Sequence, residues 1–176
     1  MQSLTQSVMN NELKIVPVEE IPLAHETPID NLMGVYSICQ RLEILCKKEN
    51  GVGISAVQAG IDWNLFLIKT QSGFDYFLNC DYTPAAEEKV NSLEGCLSLR
   101  DAQKNLRHFE VSRYKSILLT GSKLVKLDNN LVLEPLKDVL FAGFQAIVIQ
   151  HEIDHSKDVL ISDIGTEVQI YSSQEQ

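Results

Sequence analysis

The chain has 176 residues, of which 44% are hydrophobic; that is the size of one domain with enough apolar side chain for a core. Its 24 acidic residues outnumber 15 basic ones, and a net charge of −9 argues against nucleic-acid partners, whose phosphates are held by Lys and Arg. No apolar run approaches a membrane span and the N-terminus MQSLTQSVMNNELKIV lacks a signal layout, so the expectation is a cytoplasmic protein without a membrane partner.

Between residues 29 and 48, Leu32, Val35, Tyr36, Cys39, Leu42, Leu45 and Cys46 recur at helical spacing. They predict an amphipathic helix that stops near Asn50 and Gly51. Strand-like runs follow at 64–69, 76–79, 112–120 and 131–133. They are separated by Ser72-Gly73, Gly121-Ser122 and Asp128-Asn129-Asn130. Residues 141–154 are apolar almost all round, which suits a buried strand or a buried helix equally. The spacing of His151 and His155 selects the helix for its second half. The predicted fold is α+β: short, mostly antiparallel strands around a buried metal-binding helix, with an N-terminal helix. Residues 1–165 are expected to form one catalytic domain and 166–176 a short polar tail, disordered at its Ser-Ser-Gln-Glu-Gln end. Cys39, Cys46, Cys80 and Cys96 show no disulfide framework and should be free thiols, the first two as small buried apolar residues.

The chemistry concentrates in VIQHEIDHSKD. Residues four apart share a helix face, so His151 and His155 can hold one metal ion. Glu152 stands beside the first of them, within reach of a water on that metal. A catalytic site usually takes three protein ligands and leaves one position for water. The third is open at this point. Downstream lie Asp158, Asp163, Glu167 and Glu175 but no histidine, and a zincin-type peptidase would use one of these carboxylates. His25 and His108 lie far upstream and read as ordinary solvated or structural side chains. The stretch NSLEGCLSL offers Cys96, and a thiolate is a strong ligand. In GVGISAVQAG, Gly51 and Gly53 permit close backbone approach, and Gln58 follows five positions later.

These three blocks, in this order, resemble the peptide deformylases, with their G-x-G-x-x-x-x-Q, E-G-C-L-S and Q-H-E-x-D-H motifs. LKIVPVEEI and DVLISD add to the likeness, which covers roughly residues 13–163. The resemblance implies a metal held by Cys96, His151 and His155. Fe2+ is the implied ion in the cell, with Zn2+, Ni2+ or Co2+ able to replace it. It implies hydrolysis of the N-formyl group from the formylmethionine of nascent polypeptides, with formate released and transient proximity to the ribosome. Glu152 would act as general base and then acid. Gln58 and the Leu97 N–H would donate to the developing oxyanion. Val52, Gly53 and Gly95 would pair with the extended substrate. Phe144, Ile147 and Val148, on the His151 face of the helix, would line the methionine pocket. A strand over 138–141 and a helix beginning at Gly143 are implied too.

The sequence departs from the family in places. Arg100 follows Leu99 where relatives have an apolar residue and proline. Among residues 100–107 none aligns with the family's peptide-contacting arginine. Ser55 and Ser156 replace a common alanine and leucine. After Asp163 the chain is acidic to neutral, so a basic ribosome-docking helix is not expected. In this it resembles the short forms encoded by some bacteriophages. An inactive relative is a further alternative, against which intact Glu152 and Gln58 argue.

Overall fold

The computed structural model describes residues 12–170. In chain order the elements are a 3-10 turn at Val18–Glu20, α1 (Leu32–Lys48), β1 (Gly53–Ser55), a 3-10 turn at Ala56–Ala59, β2 (Leu65–Thr70) and β3 (Gly73–Pro84). Then come β4 (Lys89–Arg100), β5 (Leu106–Tyr114), β6 (Ser116–Leu127), β7 (Asn130–Ala142), α2 (Gly143–Ser156), α3 (Ile161–Ile164) and β8 (Thr166–Val168). All strand pairs are antiparallel, in one sheet ordered β1-β2-β3-β6-β7 and another ordered β4-β5-β8. The α+β class and its antiparallel sheets agree with the expectation; β3 to β7, with 9–13 residues each, are longer than expected.

α1 begins where Asn31 accepts the Gly34 N–H, which satisfies one of the helix's free donors. Lys47 and Lys48 in its last turn favour the helix's negative end. It stops at Asn50, whose φ of 56° takes the chain out of the helix. Its buried face, including Val35, Cys39, Leu42 and Cys46, packs on Ile54, Leu65, Leu67 and Leu78.

The strands outrun their apolar cores. β3 and β6 have 12 residues each and β7 has 13, because ladder hydrogen bonds continue past the buried stretch into residues that face water. The run 112–120 is two strands in different sheets, not one. Lys115 turns the chain between them, donating to the Glu88 carbonyl and accepting from Gly143 N–H. β4 carried no clear alternation and went unpredicted. Gly121, expected to break a strand, lies inside β6 at a register shift. Its φ is 146°, and a Cβ there would meet Cys80 Sγ at 2.5 Å and Cys80 Cα at 2.7 Å. Gly121→Ala is therefore expected to destabilise the fold by roughly 2–4 kcal/mol, read from urea melts. An unchanged midpoint would show that this bulge is not present.

α2 starts at Gly143, whose φ of 65° bends the chain out of β7. Ala146, Ile149 and Ile153 have no exposed surface and join Phe66, Phe77, Ile117 and Leu119 in a second core. Burial on nearly all sides explains the helix's lack of amphipathic pattern. The polar tail expected from residue 166 is corrected: Thr166–Val168 pairs with β5, and Arg107 clamps Glu167 through two hydrogen bonds. Backbone pairing and this ion pair outweigh the polar composition there. The Ser-Ser-Gln-Glu-Gln end lies outside the described residues.

Candidate metal centre

β4 brings Cys96 to α2, where His151 and His155 stand one turn apart. One ligand atom from each of the three lies within 4.8 Å of the others. Cys96 Sγ and His155 Nε2 are 3.6 Å apart. Bonds of 2.0–2.3 Å to a tetrahedral ion would separate such atoms by about 3.5 Å, so the spacing fits a metal. Among the described residues no other group of His, Cys, Asp and Glu converges in this way. Of the downstream carboxylates, Asp163 accepts the Leu160 N–H and Glu167 is held by Arg107.

His151 is oriented from behind. Its Nδ1 is 2.8 Å from Glu94 Oε1, which also accepts from Arg113 Nη2 at 2.9 Å. Arg113 Nε donates to the other Glu94 oxygen at 2.9 Å, and Nη1 donates to Asp154 at 2.5 Å. A ligating histidine is commonly fixed this way by a carboxylate. Burial alone would raise the Glu94 carboxyl, but hydrogen bonds from His151 and Arg113 outweigh it and hold it at about 2. Arg113 is 3% exposed, so Arg113→Met would strip Glu94 and Asp154 of the buried guanidinium they share. Such a broken pair is expected to cost about 3–5 kcal/mol, measured as a shift in denaturant midpoint. A cost below about 1 kcal/mol would mean that the guanidinium is not holding this network.

Burial opposes charge on either imidazole. The Cys96 sulfur and Glu94 overcome this at His151 and push it up to about 10. Burial, together with the neighbouring His151, drives His155 well below its usual value. Sulfur and carboxylate thus stabilise positive charge at His151, while His155 stays neutral with a ring nitrogen free to ligate. This donor set fits a divalent cation.

Glu152 is 4% exposed, and its Oε2 has no hydrogen-bond partner. Burial pushes its carboxyl up to about 7. A Cβ on Gly53 would lie 2.8 Å from Glu152 Oε1, so the glycine makes room for the carboxylate. Gln58 is fixed at both ends: Oε1 accepts the Ser55 N–H, while Nε2 donates to Ser98 Oγ at 3.0 Å and lies 3.5 Å from Cys96 Sγ. Its amide N–H groups therefore face the ligands.

A cleft of about 240 Å³ opens over these groups, between β1, β4 and α2. Apart from His155, which lies one turn further along α2, every residue expected at the site lines it: Gln58, Cys96, Leu97, His151 and Glu152, and also Val52, Gly53, Gly95, Phe144, Ile147 and Val148. Val52 and Phe144 are largely exposed at the mouth, whereas Val148 is buried. Sequence reasoning missed the roles of Arg113, Asp154 and Ser98, which are distant in sequence from what they hold. It also read His108 as an ordinary side chain; the structure puts it on the cleft wall with Leu93 and Leu106.

Cys96, His151 and His155 converging beside an unpartnered carboxylate at the floor of a cleft fit a metallohydrolase. The sequence profile described as polypeptide deformylase matches residues 13–169, and the chain belongs to that family of metal-dependent hydrolases. Peptide deformylase 1 of Clostridium perfringens is 30% identical over 118 residues, which cover 66% of this chain and 71% of that protein. The peptide deformylase of Zymomonas mobilis is 31% identical over 125 residues, covering 66% of this chain but 63% of its own length. The crystal structure of a probable peptide deformylase from Synechococcus phage S-SSM7 superposes with a TM-score of 0.68 at 29% identity. That likeness covers 86% of this chain and 99% of the phage protein.

Proposed function

We propose that this chain hydrolyses the N-formyl group from the formylmethionine of nascent polypeptides and releases formate. The observation that carries the reading is the convergence of Cys96, His151 and His155 beside the unpartnered carboxylate oxygen of Glu152. Cys96, His151 and His155 would hold a divalent ion, which when bound would supply Lewis acidity for the hydrolysis. Fe2+ is the ion we assign in the cell; Zn2+, Ni2+ and Co2+ suit one sulfur and two nitrogens as well.

Glu152 takes the proton of the attacking water at its free oxygen and later delivers it to the leaving amine. Burial raises this carboxyl, which favours its holding the proton between the two steps. The Gln58 amide and the Leu97 backbone N–H donate to the oxygen on which negative charge develops. Gln58 needs no reorganisation for this, because Ser55 and Ser98 already fix its amide plane.

β1 and β4 each end their sheet order, so both present free edges to the cleft. An extended peptide can add between them as a strand, with backbone groups at Val52, Gly53 and Gly95 as its partners. The methionine side chain then lies on Phe144, Ile147 and Val148. Such substrates emerge from the ribosome in the cytoplasm of a bacterium, or of a bacterial host cell, which is where we place the activity. Among the described residues no helix is long and apolar enough to cross a membrane.

The test is incubation of the iron-loaded protein with formyl-Met-Ala-Ser, with both products identified by mass. Met-Ala-Ser and formate are expected. Cleavage between residues would identify a peptidase instead, and intact peptide a binding relative.

A further inference from the structure

His108 takes no part in the reaction above, yet it forms part of the cleft wall. Its position follows from sheet register. β4 presents the free edge, β5 is the strand behind it, and Gly95 on β4 pairs with His108 on β5. Cross-strand partners project their side chains from the same face of a sheet. Gly95 has no side chain, and His108 lies beside the space one would fill, at contact distance. A Cβ built on Gly95 would lie 3.5 Å from His108 Nε2 and 3.6 Å from its Cδ2. The imidazole therefore stands beside the glycine on the cleft wall, one strand back.

Burial along β5 agrees. Phe109, Val111 and Arg113 turn into the core, while His108 and Glu110 face outward. His108 is half-buried, and its ring makes no hydrogen bond among the described residues. Cys96 directly follows Gly95, so this imidazole stands beside a point about 3.3 Å along the strand from a metal ligand. A peptide whose formyl group is at the metal has its next one or two residues within that reach. The flanking wall is mostly apolar, with Leu93 and Leu106, and the imidazole and the smaller Ser92 hydroxyl are the polar side chains beside them.

We propose that His108 grips the substrate chain beyond its formylmethionine: a backbone carbonyl one or two residues downstream accepts a hydrogen bond from the His108 Nε2–H. The inference rests on the deformylation reading. Because the contact is to backbone, it favours a peptide over formylmethionine alone whatever side chains follow, which suits an enzyme that meets many different nascent chains.

The experiment compares kcat/KM on formyl-Met-Ala-Ser with kcat/KM on formylmethionine, for wild type, His108→Ala and His108→Gln. The tripeptide-to-formylmethionine ratio is expected to fall about three- to tenfold in His108→Ala, chiefly through KM for the tripeptide. His108→Gln, which restores an N–H donor, is expected to recover much of it. An unchanged ratio, or an equal loss on both substrates, overturns the assignment, since a merely structural role lowers both alike. A wild type that turns over neither substrate overturns the deformylation reading itself, and His108's role with it.

Discussion

Glu152→Gln is expected to lower kcat by about 10³-fold while leaving the metal bound. The substitution keeps the size and shape of a side chain that is 4% exposed, and it removes only the ability to take a proton. General acid–base catalysis by one side chain typically contributes about 10²–10⁴-fold, and in the proposed reaction Glu152 serves both halves. A second signature accompanies the loss. Burial disfavours the ionised form of Glu152, whose Oε2 has no partner, so a neutral amide removes a cost from the metal-free fold. Metal-free Glu152→Gln should therefore unfold at the same or higher urea concentration than wild type. Metal content, kcat and the urea midpoint together check this. Activity within tenfold of wild type would mean that another group takes the proton.

Cys96→Ala is expected to abolish both binding and turnover. Cys96 supplies the sole sulfur of the cluster, and it comes from β4 while the two nitrogens come from α2. Loss of an outer hydrogen-bond partner alone commonly costs about 10- to 100-fold in metal affinity, and loss of a ligand itself should cost more. The expected result is at least a 100-fold weaker affinity in a chelator competition, with no formate release at metal concentrations that saturate wild type. The fold should survive, because Cys96 packs with only a small cluster of Leu99, Phe109, Val111 and Ile161. Retained activity would show that a downstream carboxylate completes the site and would bring back the peptidase alternative.

The parts of this site that were legible in the sequence are those written in consecutive residues. His151, Glu152 and His155 needed one helix turn to be placed, and α1 was visible from its apolar stripe. β4 was not legible as a strand, and its Gly95, Cys96 and Leu97 were reached only through resemblance, because a strand that lines a cleft carries Ser92, Glu94, Gly95 and Cys96 where alternation would ask for apolar residues. The network behind His151 was not legible at all. Arg113 meets Glu94 across 19 residues and Asp154 across 41, and only the β4–β5 register brings the first pair together. His108 shows the same blindness from the other side. Alone in the sequence it is one more histidine, and it becomes part of the cleft because the residue opposite it is a glycine. Gly121 misled for a related reason: a glycine that permits a bulge and a glycine that ends a strand look alike until the partner strand is known.

The most direct test is to strip the protein of metal and add ferrous iron back in steps under anaerobic conditions, following formate release from formyl-Met-Ala-Ser. The account predicts no formate without metal, a rise with each addition, and saturation at one iron per chain. Formate release that is independent of metal, or a fully metal-loaded and folded protein that releases none, would contradict it.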